Sequence, residues 1–321
     1  MAIYLTQVTP TCSVPARGDY PRDLGEFERR FATAEACRTY LVQLRWPEGV
    51  RCPHCGGGKL WPVRQVLCQC AACGHQTSVT AGTIFQDSHL PLTLWFRAIW
   101  YVTSQKNGAS ALGVQRVLGL GSYRTAWSWL HKLRRAMIRP GRDRLAGTIE
   151  IDETYWGAAE EGVVGRLTEK KAMILVAAQH DGSHKIGRIR MRQVSDLSRA
   201  TLHAFITENI EPGSVVRTDG LETYSGLKGY RHDPIVIAGS GKTADELLPR
   251  VHRVVSLLKR WMLGTHQGAV SHKHLDYYLD EFTFRFNRRT SASRGKLFYR
   301  LVQQATQVEP HPHQSIVHPH G

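Results

Sequence analysis

The chain has 321 residues, enough for two or three domains, and 42% hydrophobic with 21% charged residues is the composition of an ordinary soluble protein. Lysine and arginine outnumber aspartate and glutamate by 42 to 27, a formal net charge of +15. That excess favours a polyanionic partner, with nucleic acid ahead of an anionic membrane. No apolar run approaches the roughly 18 residues that span a bilayer, and we recognise no secretory signal, so a cytoplasmic protein is expected.

The first segment, residues 1–48, is predicted to be a loose arm followed by two short helices, with Thr33 as the N-cap of the second. Residues 49–86 hold five of the seven cysteines, a clustering that indicates a metal site more than a disulfide framework. Four of them follow the pattern C-x2-C-x14-C-x2-C with a glycine after each pair: Cys52, Cys55, Cys70 and Cys73. Four thiolates with no open position form a structural, tetrahedral zinc site.

Two other residues of this segment, Cys68 and His75, are near enough in sequence to be substitute zinc ligands. A zinc ribbon beside a basic chain commonly holds DNA, and the alternative is a purely structural clip.

Residues 87–145 are predicted to be helical. A helix over 109–118, a glycine-containing turn and a helix over 123–137 give the outline of a helix-turn-helix. The second helix is rich in basic residues, which suit contacts with DNA phosphates, although many small helical bundles share this pattern. The candidate DNA contacts here are Arg124, Lys132, Arg134 and Arg135.

The segment Thr148–Gly157 alternates like a half-buried strand, with Ile149 and Ile151 on one face and Glu150 and Asp152 on the other. An acidic side chain in mid-strand is costly to bury unless a divalent metal or a basic side chain meets it. The alternative is a solvated edge strand. From residue 148 onward strands alternate with helices, which indicates an α/β domain.

Two later positions are also candidates for chemistry. Asp219 ends a predicted strand, where the active sites of α/β sheets gather, although Asp-Gly after a strand is commonly a simple turn. His252 and Lys259 lie two turns apart on one face of a predicted helix. They are either a row of functional side chains or a histidine of the core beside an unrelated lysine. The segment 306–321 is rich in histidine and proline and is predicted to be disordered.

Together these residues resemble bacterial insertion-sequence transposases of the ISXO-like group, which have an N-terminal zinc ribbon and a DDE-type, ribonuclease-H-like catalytic domain. The resemblance runs from roughly Phe27 to Leu301. It is carried, in order, by RWPEGVRCPHCG, CAACGHQTSVTAGTIF, IEIDETYWG, VVRTDG, SLLKRWMLGTHQGAVSHKHL and YLDEFTFRFNRR. It implies an α/β catalytic domain, a mixed sheet flanked by helices, over residues 146–305.

The resemblance also implies roles for individual residues. Asp152 matches the first catalytic aspartate, Asp219 the second, and Lys259 the downstream lysine. The third position, commonly glutamate, falls on His252, which replaces a hard oxygen ligand with an imidazole nitrogen that suits Mn²⁺ better than Mg²⁺. Two such ions are implied, held by Asp152, Asp219 and His252, unless His252 acts on the phosphate or the leaving group instead.

Other carboxylates lie near these positions in the sequence. Asp245 and Glu246 are candidate substitutes for the third ligand. Glu150 is expected to support Asp152 from the same strand face, whereas Glu153 is expected to point away.

The implied function is that of a DNA transposase, which binds the terminal repeats of its element and catalyses metal-dependent strand cleavage and strand transfer. The implied partners are double-stranded DNA, contacted also by Arg260, and further copies of the chain in a synaptic complex, with the protein associated with the nucleoid. The alternatives are a zinc-ribbon DNA-binding regulator with a non-catalytic second domain, and a metal-dependent nuclease without strand transfer.

Overall fold

The computed structural model describes residues 19–64, 66–139, 141–157, 171–182, 185–236 and 241–318. Residues 1–18 of the expected N-terminal arm, which was predicted over residues 1–20, lie outside this range. The chain divides into two compact units. The first comprises Met1–Lys106, Ala111–Ala136 and Ala292–Pro312, and the second comprises Asn107–Ser110, Met137–Ser291 and His313–Gly321.

The elements of the first unit begin with helices α1 (Leu24–Arg30) and α2 (Ala34–Arg45), strands β1 (Leu60–Arg64), β2 (Leu67–Cys70) and β3 (Gln76–Thr77), and helices α3 (Leu92–Ser104), α4 (Ala111–Leu118) and α5 (Tyr123–Ala136). The second unit contains β4 (Thr148–Trp156), β5 (Ala172–His180), β6 (Ile186–Val194), α6 (Arg199–Asn209), β7 (Val215–Asp219), β8 (Arg231–Ile235), α7 (Ala244–Leu247), α8 (Pro249–His266) and α9 (Leu275–Phe286). Helix α10 (Arg294–Ala305) returns to the first unit, and α11 (His313–Val317) belongs to the second.

The helices of the first unit pack around a cluster of aromatic rings. Phe27 of α1 and Phe96 of α3 lie 5.3 and 5.6 Å, between ring centroids, from Phe298 of α10. All three rings are buried, and aromatic pairs at this spacing add to the energy of burial. Helix α10 is therefore part of the N-terminal core, which corrects the predicted catalytic domain boundary of 146–305.

The N-cap of α2 and the pair of helices α4 and α5 form as the sequence predicted. The hydroxyl of Thr33 accepts a hydrogen bond from the backbone N–H of Ala36 at 3.2 Å and so caps α2, as the sequence predicted. Helices α4 and α5, joined by a short turn, form the predicted helix-turn-helix outline within one or two residues of the expected bounds.

The second unit is built on a five-stranded sheet with the order β6-β5-β4-β7-β8. The pairs β6–β5 and β5–β4 are antiparallel, and the pairs β4–β7 and β7–β8 are parallel. One face packs against α8 and α9, and the other packs against α6. This mixed sheet between helices is the ribonuclease-H-like fold that the resemblance implied.

Strand β4 lies in the middle of that sheet and alternates as expected. Ile149 and Ile151 are fully buried in the core on the α6 side. Glu150 points to the opposite face and is also fully buried, at 0% exposure. The strand is therefore internal rather than a solvated edge, so its acidic side chains need partners.

The C-terminal segment differs from the prediction of disorder over 306–321. Residues His313–Val317 form helix α11, and Ile316 is fully buried. The carbonyl oxygen of Ile316 lies 2.9 Å from Nε2 of His274, which donates to it. A buried apolar side chain and a hydrogen bond to the second unit therefore hold part of a segment whose composition is otherwise that of a solvated tail.

Candidate active site

The four predicted zinc cysteines converge in the first unit. Their sulfur atoms all lie within 4.8 Å of one another, with Cys52 to Cys73 at 3.6 Å and Cys55 to Cys70 at 3.5 Å. Four sulfurs around one zinc ion at about 2.3 Å stand roughly 3.8 Å apart, so the set fits a tetrahedral zinc ion. Cys68 and His75 are not members of this group among the described residues.

The backbone around the cysteines explains this convergence. Gly56 and Gly74, one after each pair, have φ of 74° and 71°, a left-handed conformation that favours glycine. The turn at the second pair aims backbone N–H groups at one sulfur: those of Cys73 and Ala72 lower the pKa of Cys70 to about 7. A thiolate is the form that binds zinc, and this turn favours that form at Cys70.

The predicted catalytic aspartates meet in the second unit at the end of a strand pair. The last register pair between β4 and β7 is Glu150 opposite Arg217, and Asp152 and Asp219 each lie two residues further on. Carboxylate oxygens of Asp152, Asp219 and Glu153 all lie within 4.8 Å of one another. Three hard oxygen donors at this spacing are a ligand set for Mg²⁺, Mn²⁺ or Ca²⁺.

Glu153 was expected to point away from Asp152, and that prediction was wrong. The backbone N–H of Glu153 donates a hydrogen bond to Oδ1 of Asp152 at 2.9 Å, which links the two neighbouring residues of β4. The register with β7 has already ended at Glu150, so the edge of β4 is open at Glu153. Strand alternation alone therefore did not decide where this carboxylate lies.

His252 reaches the same site from α8. Its Nε2 lies 3.3 Å from Oδ2 of Asp152, and its Nδ1 lies 3.1 Å from Oδ1 of Asp245. Both ring nitrogens thus face carboxylates, and His252 is not a member of the three-carboxylate group among the described residues. The structure places His252 in contact with Asp152, and its role as a metal ligand stays a prediction.

The two candidate substitutes for the third ligand are not members of the three-carboxylate group among the described residues. Asp245 contacts His252 and is 82% exposed at its side chain. Oε2 of Glu246 accepts a hydrogen bond from the backbone N–H of Thr243 at 2.7 Å, which caps α7. Hydrogen bonds from Thr243 lower the pKa of the Glu246 carboxyl, as expected for a cap.

Glu150, which was expected to support Asp152, instead meets the start of α8. Its Oε2 accepts hydrogen bonds from the backbone N–H groups of Arg250 at 2.7 Å and Val251 at 2.9 Å. Its Oε1 lies 3.2 Å from Nη1 of Arg250 and 2.9 Å from Nε2 of His180. The sequence predicted that a buried acid on this strand would need a metal ion or a basic side chain as its partner. In the structure, the partners of Glu150 are the basic side chains of Arg250 and His180.

The predicted DNA contacts fall into three groups by exposure. Lys259 and Arg260 are exposed on α8, and Arg124 and Arg135 are exposed on α5. Lys132 is half-buried, and burial lowers its pKa although Asp87 opposes this. Arg134 is only 2% exposed, so its guanidinium is not available to a DNA phosphate, and that prediction is corrected.

Comparisons with known proteins agree with the two regions described above. Residues 32–76 match a transposase zinc-ribbon domain, and residues 144–287 match an ISXO2-like transposase domain. Among curated proteins, the chain is similar to an uncharacterized protein in transposable element ISH50 of Halobacterium salinarum. The two are 24% identical over 283 residues, which is 80% of this chain and 92% of that protein.

Among solved structures, a chain of the simian T-cell lymphotropic virus intasome in complex with a PP2A regulatory subunit matches 62% of this chain and 72% of its own length. Its identity is 12% and its TM-score 0.32. None of the described helices is long and apolar enough to cross a membrane. With the ribonuclease-H-like sheet and the acidic group at its strand ends, the two domain matches show that the chain carries an ISXO2-like transposase domain over residues 144–287, after a transposase zinc ribbon over residues 32–76.

Proposed function

We propose that this transposase cuts DNA at the ends of its element and joins the freed ends to target DNA. The observation that carries the proposal is the group of three carboxylates, Asp152, Glu153 and Asp219, at the open end of the β4–β7 pair. Three acids this close repel one another unless a cation lies between them. A regulator that only binds DNA has no use for such a group.

The protein side chains would divide the work as follows. Asp152, Glu153 and Asp219 would hold two divalent cations, Mg²⁺ or Mn²⁺, and such ions would supply activation of the attacking oxygen and stabilisation of the leaving oxygen of a phosphodiester. His252 keeps the Asp152 carboxylate oriented, and the exposed Lys259 lies near a DNA phosphate and offsets its charge. His252 thereby acts through Asp152 and not as a ligand.

The bonds made and broken in the two steps balance without a covalent protein–DNA link. In the first step, a water oxygen attacks phosphorus at the transposon end, the 3′ oxygen leaves, and a 3′-hydroxyl and a 5′-phosphate result. In the second, that 3′-hydroxyl attacks a phosphorus of target DNA and its proton is lost, while the target 3′ oxygen leaves. Both are in-line displacements at a phosphodiester, so one set of carboxylates serves both.

DNA binding is proposed for the zinc ribbon, predicted over residues 49–86, and the helical region, predicted over 87–145. One structural Zn²⁺, held by Cys52, Cys55, Cys70 and Cys73, would keep the ribbon folded. The exposed Arg124, Arg135 and Arg260, together with the half-buried Lys132, would contact phosphates of terminal repeats and target. Joining two ends in concert requires more than one copy, so a synaptic homo-oligomer on the nucleoid is part of the proposal.

The test uses DNA that carries the repeats flanking the gene. The purified full-length chain is incubated with an end-containing duplex and with a precut end plus a supercoiled plasmid, each with Mg²⁺, Mn²⁺ or EDTA. We expect metal-dependent nicking and joined products from wild type, and neither from Asp152→Asn. Nicking without joined products would support a nuclease instead, and equal background nicking by both proteins would leave a DNA-binding regulator.

A further inference from the structure

We propose that Glu150 is a positioning residue for the reaction, because its buried carboxylate ties the start of α8 to the catalytic strand and thereby sets His252 against Asp152. This inference rests on the proposed function. It concerns a residue that does not touch the reacting atoms and that acts through the placement of others.

The contacts of Glu150 join three elements of the second unit. The residue lies on β4, it is fully buried, and its two carboxylate oxygens receive four donors. Two of the donors are backbone N–H groups at the start of α8, a hundred residues away in sequence, and a third is the Arg250 side chain. The fourth is His180 on β5, the neighbouring strand.

The start of α8 lacks a cap of its own. Its N-cap residue, Leu248, has no side-chain acceptor, and Pro249 at the first helical position has no N–H. The next two backbone N–H groups, of Arg250 and Val251, are those that an N-cap side chain would normally bind. Both are bound by Oε2 of Glu150 instead. The helix is thus capped from the sheet and not from its own sequence.

This cap fixes a distance within the active site. Asp152 lies two residues beyond Glu150 on the same face of the same strand, and His252 directly follows the capped Val251. The Glu150 carboxylate thus joins β4 to the start of α8. In this arrangement, Nε2 of His252 lies 3.3 Å from Oδ2 of Asp152. Lys259 lies two turns further along α8, so its placement depends on the same anchor.

A purely stabilising role does not account for this arrangement. Burying a carboxylate with its cationic partner is costly, and well-packed apolar side chains at such places are often as stable or more stable. A Ser or Asp at the N-cap would satisfy the same N–H groups locally. What a local N-cap could not supply, and Glu150 does, is a bond between the first turn of the helix that carries His252 and the strand that carries Asp152.

The test compares Glu150→Gln with Glu281→Gln in the full chain. Gln keeps the size of the side chain but offers one acceptor oxygen instead of two. Glu281 is the matched control: it is also fully buried in the second unit and also pairs with an arginine, Arg285, at 2.7 Å. Unfolding midpoints, strand-cleavage kinetics and the ¹⁵N–¹H ring signals of His252, identified by their loss in His252→Ala, are measured for each.

We expect both variants to fold with similarly lowered midpoints. Glu150→Gln should lower kcat for end cleavage about 10- to 100-fold with KM for DNA changed less than about threefold, and should displace the His252 ring signals. Glu281→Gln should leave kcat and the His252 signals as in wild type. Glu150→Gln with the kcat of Glu281→Gln, or with unmoved His252 signals, would overturn the inference.

Two further arms keep the outcome decisive. If Glu150→Gln does not fold, Glu150→Asp retains the charge with a side chain shorter by about 1.5 Å, and the same shifts in kcat and in the His252 signals are expected. If wild type shows no cleavage, the proposed function fails. The ring signals of His252 then still decide whether Glu150 positions that side chain.

Discussion

Asp152 and Asp219 occupy equivalent places on two parallel strands, each two residues beyond the last register pair, Glu150 opposite Arg217. Parallel strands end at the same edge of a sheet, so equal offsets from one register pair bring two side chains together. The two aspartates are 67 positions apart in the sequence, with β5, β6 and α6 between them, so the fold and not sequence proximity brings them together. The site is therefore a property of the register, and Glu153 joins it because β4 continues alongside β5 beyond the end of its pairing with β7.

Asp152→Asn and Asp219→Asn should each abolish metal-dependent cleavage while leaving the fold intact. Each change removes one charge from a cluster of three carboxylates, so the free energy of unfolding without metal should stay the same or rise. We expect cleavage to fall by about three orders of magnitude, or about 4 kcal/mol in activation free energy. Glu211→Gln, at an exposed carboxylate of the same unit, is the control and should cleave normally.

Zinc content should separate the ligand cysteines from their neighbour. Cys52→Ser should lower zinc from about one per chain to none, since three thiolates no longer close a structural site. Cys68→Ser changes a cysteine on the same hairpin but outside the group of four, and should keep its zinc. Elemental analysis after dialysis measures both, and equal zinc contents in the two variants would contradict the assignment.

Much of this architecture could be predicted from local patterns. Cysteine spacing predicted the ribbon, alternation predicted β4 with Asp152 on its acidic face, and strand-end position predicted Asp219, while the family resemblance implied the catalytic roles of the two aspartates. The contact of Glu153 could not be predicted, because it depends on where the pairing of β4 with β7 stops. Strand β8 was not predicted either, because Arg231–Ile235 contains Asp233 and Pro234, which are rare in strands and tolerated here on a sheet edge.

For Arg134, helical periodicity in the sequence already indicated burial, but the density of basic residues on the helix led to the prediction of a DNA contact. Arg134 lies four residues after Leu130 and eight after Ala126, apolar residues that are both buried, so helical periodicity places it on the inward face of α5. Counting basic residues without regard to helix face made it a DNA contact. For Glu150, the sequence required a cationic or metal partner, but the partners His180 and Arg250 lie 30 and 100 residues away and only the fold identifies them.

Adjacent arginines on α5 should therefore behave in opposite ways. Arg135→Gln removes an exposed charge, so DNA affinity should fall and the slope of log affinity against log salt should shrink by about one, with stability unchanged. Arg134→Ala removes a side chain that is 2% exposed and should cost about 2–4 kcal/mol of stability. Salt-dependent binding and urea unfolding of each variant measure the two effects, and exchanged phenotypes would show that the helix face is misplaced.

Acid should destabilise the second unit in part through His232. Burial lowers the pKa of His232 from 6.5, His203 acts in the same direction and Asp233 opposes; its Nε2 lies 2.9 Å from Oγ1 of Thr218. The unfolded chain thus binds more protons than the folded one below about pH 6.5, so this contribution is present above that pH and lost as the pH falls. His232→Gln should flatten the fall of the urea midpoint between pH 7 and 5, whereas the exposed control His318→Gln should not.

His252 should matter for the orientation of Asp152 more than for metal binding. Its ring lies between Asp152 at 3.3 Å and Asp245 at 3.1 Å, so His252→Ala frees the Asp152 carboxylate to rotate. We expect kcat to fall about 10- to 100-fold while Mn²⁺ affinity, measured by electron paramagnetic resonance, changes less than about threefold.

His252→Glu adds a hard oxygen donor beside Asp152 and should raise Mg²⁺ affinity. Asp245→Asn should have little effect, because that carboxylate is 82% exposed and water screens its contact. A loss of Mn²⁺ binding in His252→Ala beyond tenfold would instead make the imidazole a ligand.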